Sequence, residues 1–349
     1  MRSTTSPGMF LGAFRRTHEF RLLIATVGLI AILSVSSRRF LTLQNGLDLL
    51  TSYAFSGMLA AGLLVVLVSG GIDISFTAIA SVAQYVALVA VMHLHGGWLM
   101  LFAIGLGIGT ALGMLNAVLI STLRISSIIV SIAMLNVYFG LLMFLSHGNQ
   151  LFNMPDWFLN AFSWVLWTDS EQNPYVLNAQ IIGLFVCFAL SWLLLNRTSI
   201  GRQIYALGGN AEAAARVGYN AWRLNLVVYG YMGFIAGLAS LAQAQLAQSV
   251  APNVLVGREL NVLAAVVLGG ASLTGGQGTV LGAILGVAVL ACMENGLILL
   301  GVSSYWTQFF DGAVILVAVS TIAWERRRQR AAMRRVIAAP AGAAVARQG

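Results

Sequence analysis

A chain of 349 residues that is 59% hydrophobic and only 9% charged, with a mean hydropathy of +0.86, is not a water-soluble domain, in which about 25% of residues are charged. Its formal net charge of +8 would suit a nucleic-acid surface, but the arginines flank apolar runs, so the charge is topological and no nucleic-acid partner is implied. Lysine is absent, which excludes a Walker A phosphate loop, whose GxxxxGK[ST] pattern requires one.

At about 20 apolar residues per span, the sequence reads as an all-α polytopic membrane protein of about ten helices. The ~10-residue alternation of outer-membrane barrels is missing. Residues 1–21 are polar and basic, with Arg2, Arg15, Arg16 and Arg21 before the first apolar run, Leu22–Val35. A charged start, an apolar core and Ser34-Val35-Ser36 also fit a cleavable signal peptide; the many spans that follow favour an uncleaved first helix. The further runs are Leu49–Ser69, Ile74–Met92, Trp98–Thr122, Ile125–Ser146, Asn178–Leu195, Leu224–Gln245, Glu259–Leu273, Val280–Leu300 and Trp306–Trp324. Glu259–Leu273 is short, which suggests a broken or re-entrant helix. Residues 22–325 form the membrane domain, and 326–349 a basic, low-complexity tail expected to be disordered.

Starting inside, ten spans also end inside, so both termini are expected in the cytoplasm. This topology puts sixteen of the nineteen arginines on the cytoplasmic side and leaves Arg38, Arg39 and Arg258 outside, in keeping with the positive-inside bias. The longest outer segment, residues 148–177, holds FLNAFSWVLW, read as a helix lying at the interface, where aromatic residues anchor. A contact with a substrate-binding protein is its other reading.

Residues 197–223, RTSIGRQIYALGGNAEAAARVGYNAWR, form the one long polar interruption between membrane-length runs and carry four arginines. Asn210–Val217 is Ala-rich and stops at Gly218, which predicts a short cytoplasmic helix able to dock on a soluble partner. Two further breaks lie in the apolar sequence. Gly70-Gly71-Ile72-Asp73-Ile74-Ser75 interrupts a run with two glycines and a carboxylate. Asp73 either braces the break against the following amides or faces a translocation path. Gly269-Gly270-Ala271-Ser272-Leu273-Thr274-Gly275-Gly276 echoes it weakly. No βαβ unit surrounds these glycines, so they are helix breaks and close crossings rather than a dinucleotide fingerprint. Asn116 and Asn136 either bond a solute in transit or hold helices together; Glu294, Asn295, Gln308 and Asp311 are the polar positions of the last spans. Cys187 and Cys292 lack metal-ligand spacing, and no HExxH or GxSxG motif points to an enzyme.

The run GRQIYALGGNAEAAARVGYN resembles the cytoplasmic loop of permease subunits of bacterial sugar ABC importers, the ribose/xylose/galactoside type. GGIDIS resembles that family's GGIDLSVG, with Phe76-Thr77 for Val-Gly, and GGASLTGGQGT its GGtSLtGGxGs. The Ile125-Ser126-Ser127 stretch carries serines for the family's two prolines, and Ala117 replaces a glycine. The resemblance spans roughly residues 22–325. It implies a multi-pass inner-membrane subunit that is not itself an enzyme and moves a sugar or sugar-like polyol by alternating access. It also implies ATPase-coupling residues at Gly209, Asn210, Glu212, Ala213, Ala214, Arg216 and Gly218, and path candidates at Asp73, Ser75, Asn116, Asn136, Glu294 and Asn295. The implied partners are a cytoplasmic ABC ATPase holding ATP and Mg, a second permease copy or sister permease, a periplasmic sugar-binding protein, and membrane lipid. The alternative is a proton- or ion-coupled secondary transporter using Asp73, Glu294 and Asp311.

Overall fold

The computed structural model describes residues 18–159, 163–168 and 174–303, with isolated positions between 306 and 320. Eight helices among them are long and apolar enough to cross a membrane, and the all-α polytopic expectation holds. The crossing helices are α1 (His18–Ser36), α2 (Leu43–Val68), α3 (Phe76–Leu94), α4 (Trp98–Leu123), α5 (Ser127–Ser146) and a span at Ala179–Arg197. That span is α7 (Ala179–Trp192) continued by a π turn, Leu193–Arg197, and α6 (Asp156–Leu159) is a single turn before it. Next come α8 (Ser199–Gly209), α9 (Ala211–Arg216), α10 (Ala221–Ala247), α11 (Glu259–Leu268) and α12 (Val280–Leu299). Of these, α10 and α12 complete the eight. The expected tenth span, Trp306–Trp324, and the tail 326–349 fall largely or wholly outside the described residues.

The helices at the centre are α2 and α10, whose spans are 78% and 67% buried, against 22% for α4 and α5. Residues Met58 to Val68 of α2 are all buried. Both helices begin at a side-chain cap: Thr42 Oγ1 accepts from Asn45 N at 3.2 Å and Asn220 Oδ1 from Arg223 N at 3.1 Å, which occupies amides that the first turn leaves free.

In lipid the hydrophobic effect does not drive helices together, so close approach of backbones must. Gly105, Gly109 and Gly113 form a one-sided row on α4 against Tyr229, Gly233 and Gly237 on α10. A Cβ on Gly109 or Gly113 would strike the carbonyl oxygen of Gly233 or Tyr229, and one on Gly237 would stand 2.6 Å from that of Gly105. Similarly α11 and α12 meet at Gly282 and Gly286, whose added Cβ atoms would hit the carbonyls of Gly269 and Ala265. The first helix packs on α12 through Leu33 and Gly296.

The outer segment corrects one expectation. The stretch read as an interfacial helix is instead the single turn α6 followed by β1 (Ser163–Thr168), paired antiparallel with β2 (Pro174–Asn178). Ser163 lies opposite Asn178 and Trp164 opposite Leu177, and the Trp167 and Tyr175 rings stack at 5.3 Å. Aromatic and β-branched residues favour a pleated pair, and PYVLN supplies the partner strand.

Candidate functional site

The two glycine breaks share one geometry. At the end of α2, Gly70 has φ +89°; its N–H reaches Leu67 O at 3.0 Å and that of Gly71 reaches Val66 O at 3.2 Å. At the end of α11, Gly270 has φ +93°; its N–H reaches Val267 O at 2.9 Å and that of Ala271 reaches Val266 O at 3.2 Å. Both are left-handed helix stops with paired backward bonds. The sequence echo therefore has a register: Gly70 matches Gly270, one residue on from the alignment of Gly70-Gly71 with Gly269-Gly270. Gly71 and Gly269 are needed for space instead, against the Tyr229 hydroxyl and the Gly282 carbonyl.

The polar loop closes onto these breaks. In α9, Asn210 caps the first turn by accepting from Ala213 N at 2.9 Å. Gly218, at φ +89°, ends it with a bond to Ala215 O at 3.0 Å. Glu212, Ala213, Arg216 and Val217 are exposed, whereas Ala214 is buried. Just before α9, Gly208 lies against both breaks. A Cβ there would stand 2.6 Å from Gly276 N and closer still to Val68 O, and those two atoms are hydrogen-bonded at 2.9 Å. Gly275 meets Gly70 and Gly208, and Gly276 meets Gly209, at distances no Cβ tolerates. Tyr205 donates to Gly278 O at 2.7 Å, and burial raises its pKa, keeping the hydroxyl a donor.

A buried polar chain lies beyond the first break. Asp73 Oδ1 accepts from Ser75 N at 2.8 Å and Ser75 Oγ at 2.7 Å. Ser75 Oγ accepts from Asn116 Nδ2 at 2.7 Å. Asn116 Oδ1 in turn accepts from Tyr138 at 2.9 Å. Ser127 Oγ accepts from Ile72 N at 2.9 Å, supplying the partner that an interrupted helix needs inside a membrane. One residue into α3, Thr77 donates to buried Glu259, which also accepts from Gly257 N at 2.9 Å. Carboxylates at the starts of α3 and α11 lie where helix macrodipoles favour negative charge.

These two helix starts meet partway along α2. Leu151 and Val250 pair beyond the ends of α5 and α10, and the chain then runs without helix to Arg258. The Arg258 guanidinium lies 5.8 Å from the ring centroid of Phe55. Phe55 is the thirteenth residue of α2, about 18 Å from either end of that helix. From there α11, about 15 Å long, follows the second half of α2 down to the Val68–Gly276 bond. It is a half-length helix, as the short apolar run suggested.

Residues 45–319 match the family model described as "Branched-chain amino acid transport system / permease component". The chain belongs to this permease family. Among its relatives are the ribose import permease protein RbsC of Escherichia coli (strain K12), 32% identical over 301 residues covering 86% of this chain and 92% of the relative, and RbsC of Bacillus subtilis (strain 168), 34% identical over 295 residues covering 83% and 88%. The L-arabinose ABC transporter permease protein AraH of Azospirillum brasilense is 32% identical over 327 residues, 92% of each chain. No solved structure matches the chain.

Of the permease's predicted site residues, Asp73, Ser75 and Asn116 come together and the rest do not join them. Asn136 is exposed on α5 and bonds Ile132 O of its own helix at 2.8 Å. Glu294 bonds Tyr53, and Asn295 pairs with Asn45 at 3.1 Å, all between α2 and α12. Asp311 lies outside the described residues. The acids offered for ion coupling are thus dispersed, Asp73 at the α3 start and Glu294 near the α12 end, and the family match supports the importer reading over that alternative. Sequence reasoning missed Thr77, Tyr138, Tyr229 and Glu259, whose roles depend on partners 22 to 182 residues away.

Proposed function

We propose that this permease carries a sugar or sugar-like polyol across the bacterial inner membrane as one of two membrane subunits of an ATP-driven importer. ATP and Mg are held by a separate cytoplasmic ATPase, and a periplasmic binding protein delivers the solute near residues 148–177. The names of RbsC and AraH support the substrate class. The observation that carries the mechanism is the glycine junction: the exposed α9 is joined through Gly208 to the end of α2 and to Gly275–Gly276 in the segment between α11 and α12. ATP-driven movement of a partner seated on Glu212, Ala213 and Arg216 would therefore reach both helix breaks at once. Coupling of this kind requires a difference in contact free energy between the two permease states, and a junction serving both breaks would transmit it.

The test is co-purification in detergent with the candidate ATPase, comparing wild type with the double variant Glu212→Arg, Gly218→Pro. A stable complex is expected for the wild type, with ATP hydrolysis lost in the variant while the permease stays monodisperse. Absence of any ATPase partner, together with uptake driven by an ion gradient, would overturn the reading.

A further inference from the structure

Arg258 is exposed yet lies beside the middle of the most buried helix. Facing lipid at such a depth, a guanidinium is penalised by about 2.5–3.5 kcal/mol even on the mildest scale, so lipid does not cover this face. The charge exposed on this face is the guanidinium, with the carboxylate of the next residue buried behind it. Glu259 is buried against Thr77 and Gly257 N, and buried Asp73 is turned to Ser75. A guanidinium beside an aromatic ring also keeps the donors at its edge for a planar anion.

We propose, building on the permease reading, that Arg258 is a specificity-determining residue of the translocation path: a fixed positive charge midway across it that favours solutes bearing a carboxylate or phosphate. The path then takes acidic sugars, such as aldonates or uronates, in preference to amino sugars.

The test uses the full chain in bacterial membrane vesicles with Cys187 and Cys292 replaced by alanine and a reporter cysteine at Leu260, which is 62% exposed. Two membrane-impermeant thiol reagents of opposite charge serve as probes, methanethiosulfonate ethylsulfonate and its trimethylammonium counterpart. Both are expected to label the reporter, and Arg258→Gln should lower the anion-to-cation rate ratio by at least about fivefold, the scale of unit charges a side chain apart in water. Arg258→Lys should keep the ratio. Should Arg258→Gln fail to accumulate, the ratio at Leu260→Cys is compared with that at Leu99→Cys, both retaining Arg258, and the former should be higher. No labelling, or a ratio indifferent to charge at position 258, overturns the proposal. Labelling needs no ATPase, so loss of the importer reading with a charge-dependent ratio would be recognised separately.

Discussion

Gly208→Ala should uncouple the permease from its ATPase without removing the docking helix. The new methyl would stand 2.6 Å from Gly276 N and closer to Val68 O, the two ends of a 2.9 Å hydrogen bond. All of the opposing atoms are backbone, so no side chain can swing aside. Either α8 moves away or the bond breaks, with about 1–3 kcal/mol of overpacking and about 1 kcal/mol for the bond. Allosteric coupling is typically worth about 1–3 kcal/mol, so a perturbation of that size can abolish it; a loss of about 2 kcal/mol corresponds to roughly 30-fold. The assay is MgATP hydrolysis by the reconstituted complex relative to the ATPase alone, with complex formation followed by size exclusion. Gly209→Ala is the control, because nothing lies within 4 Å of a Cβ there. Full activation in Gly208→Ala would refute the reasoning, and so would an equal loss in Gly209→Ala.

Three further outcomes follow from the packing. Gly113→Ala forces a methyl onto the Tyr229 carbonyl, costs about 1–3 kcal/mol of overpacking and should therefore lower the detergent melting temperature; Gly107→Ala, in open space, should not, and equal melting would show that α4 and α10 are not in backbone contact. Ser75→Ala removes the link between Asp73 and Asn116 and should destabilise by about 1–3 kcal/mol, whereas exposed Asn136→Ala should stay within about 0.5 kcal/mol; the reverse order, in chemical denaturation, would invert the assignment of the two. Glu259→Ala leaves Thr77 and Gly257 N without their acceptor and should melt earlier than Glu259→Gln, which retains a carbonyl oxygen; identical curves would mean that the carboxylate does not join the two helix starts.

How much of this was legible depended on the range of the interaction. The apolar runs fixed the spans because a membrane helix satisfies its backbone within itself, and the paired glycines announced both breaks. Asn210 and Gly218 bounded α9 because caps are local. Nothing local says that Gly208, 138 residues after Gly70 and 67 before Gly275, fills the space between them. The short run at Glu259–Leu273 announced a half-length helix, but nothing local says that α11 begins beside Phe55, halfway along α2. That Glu259 is a buried partner of Thr77, 182 residues away, is likewise not a local property. The β1–β2 pair escaped because its strands are too short to outweigh an apolar aromatic run taken alone.

The 200-residue register between Gly70 and Gly270 bears on why both breaks meet one loop. Each stop ends a helix, α2 or α11, and sends the chain back toward the membrane; in both cases a glycine at positive φ turns it and the next N–H bonds backward. The two turns do not face the same neighbours: the Gly270 turn meets His18, whereas Gly208 lies between the Gly70 turn and the Gly275–Gly276 backbone farther along the second break. A motion imposed at α9 thus arrives at the end of α2 directly and at α11 through the residues that follow Gly270. Because α11 begins beside Arg258, and through Glu259 and Thr77 is tied to α3, the same motion reaches the level at which the path carries its charge.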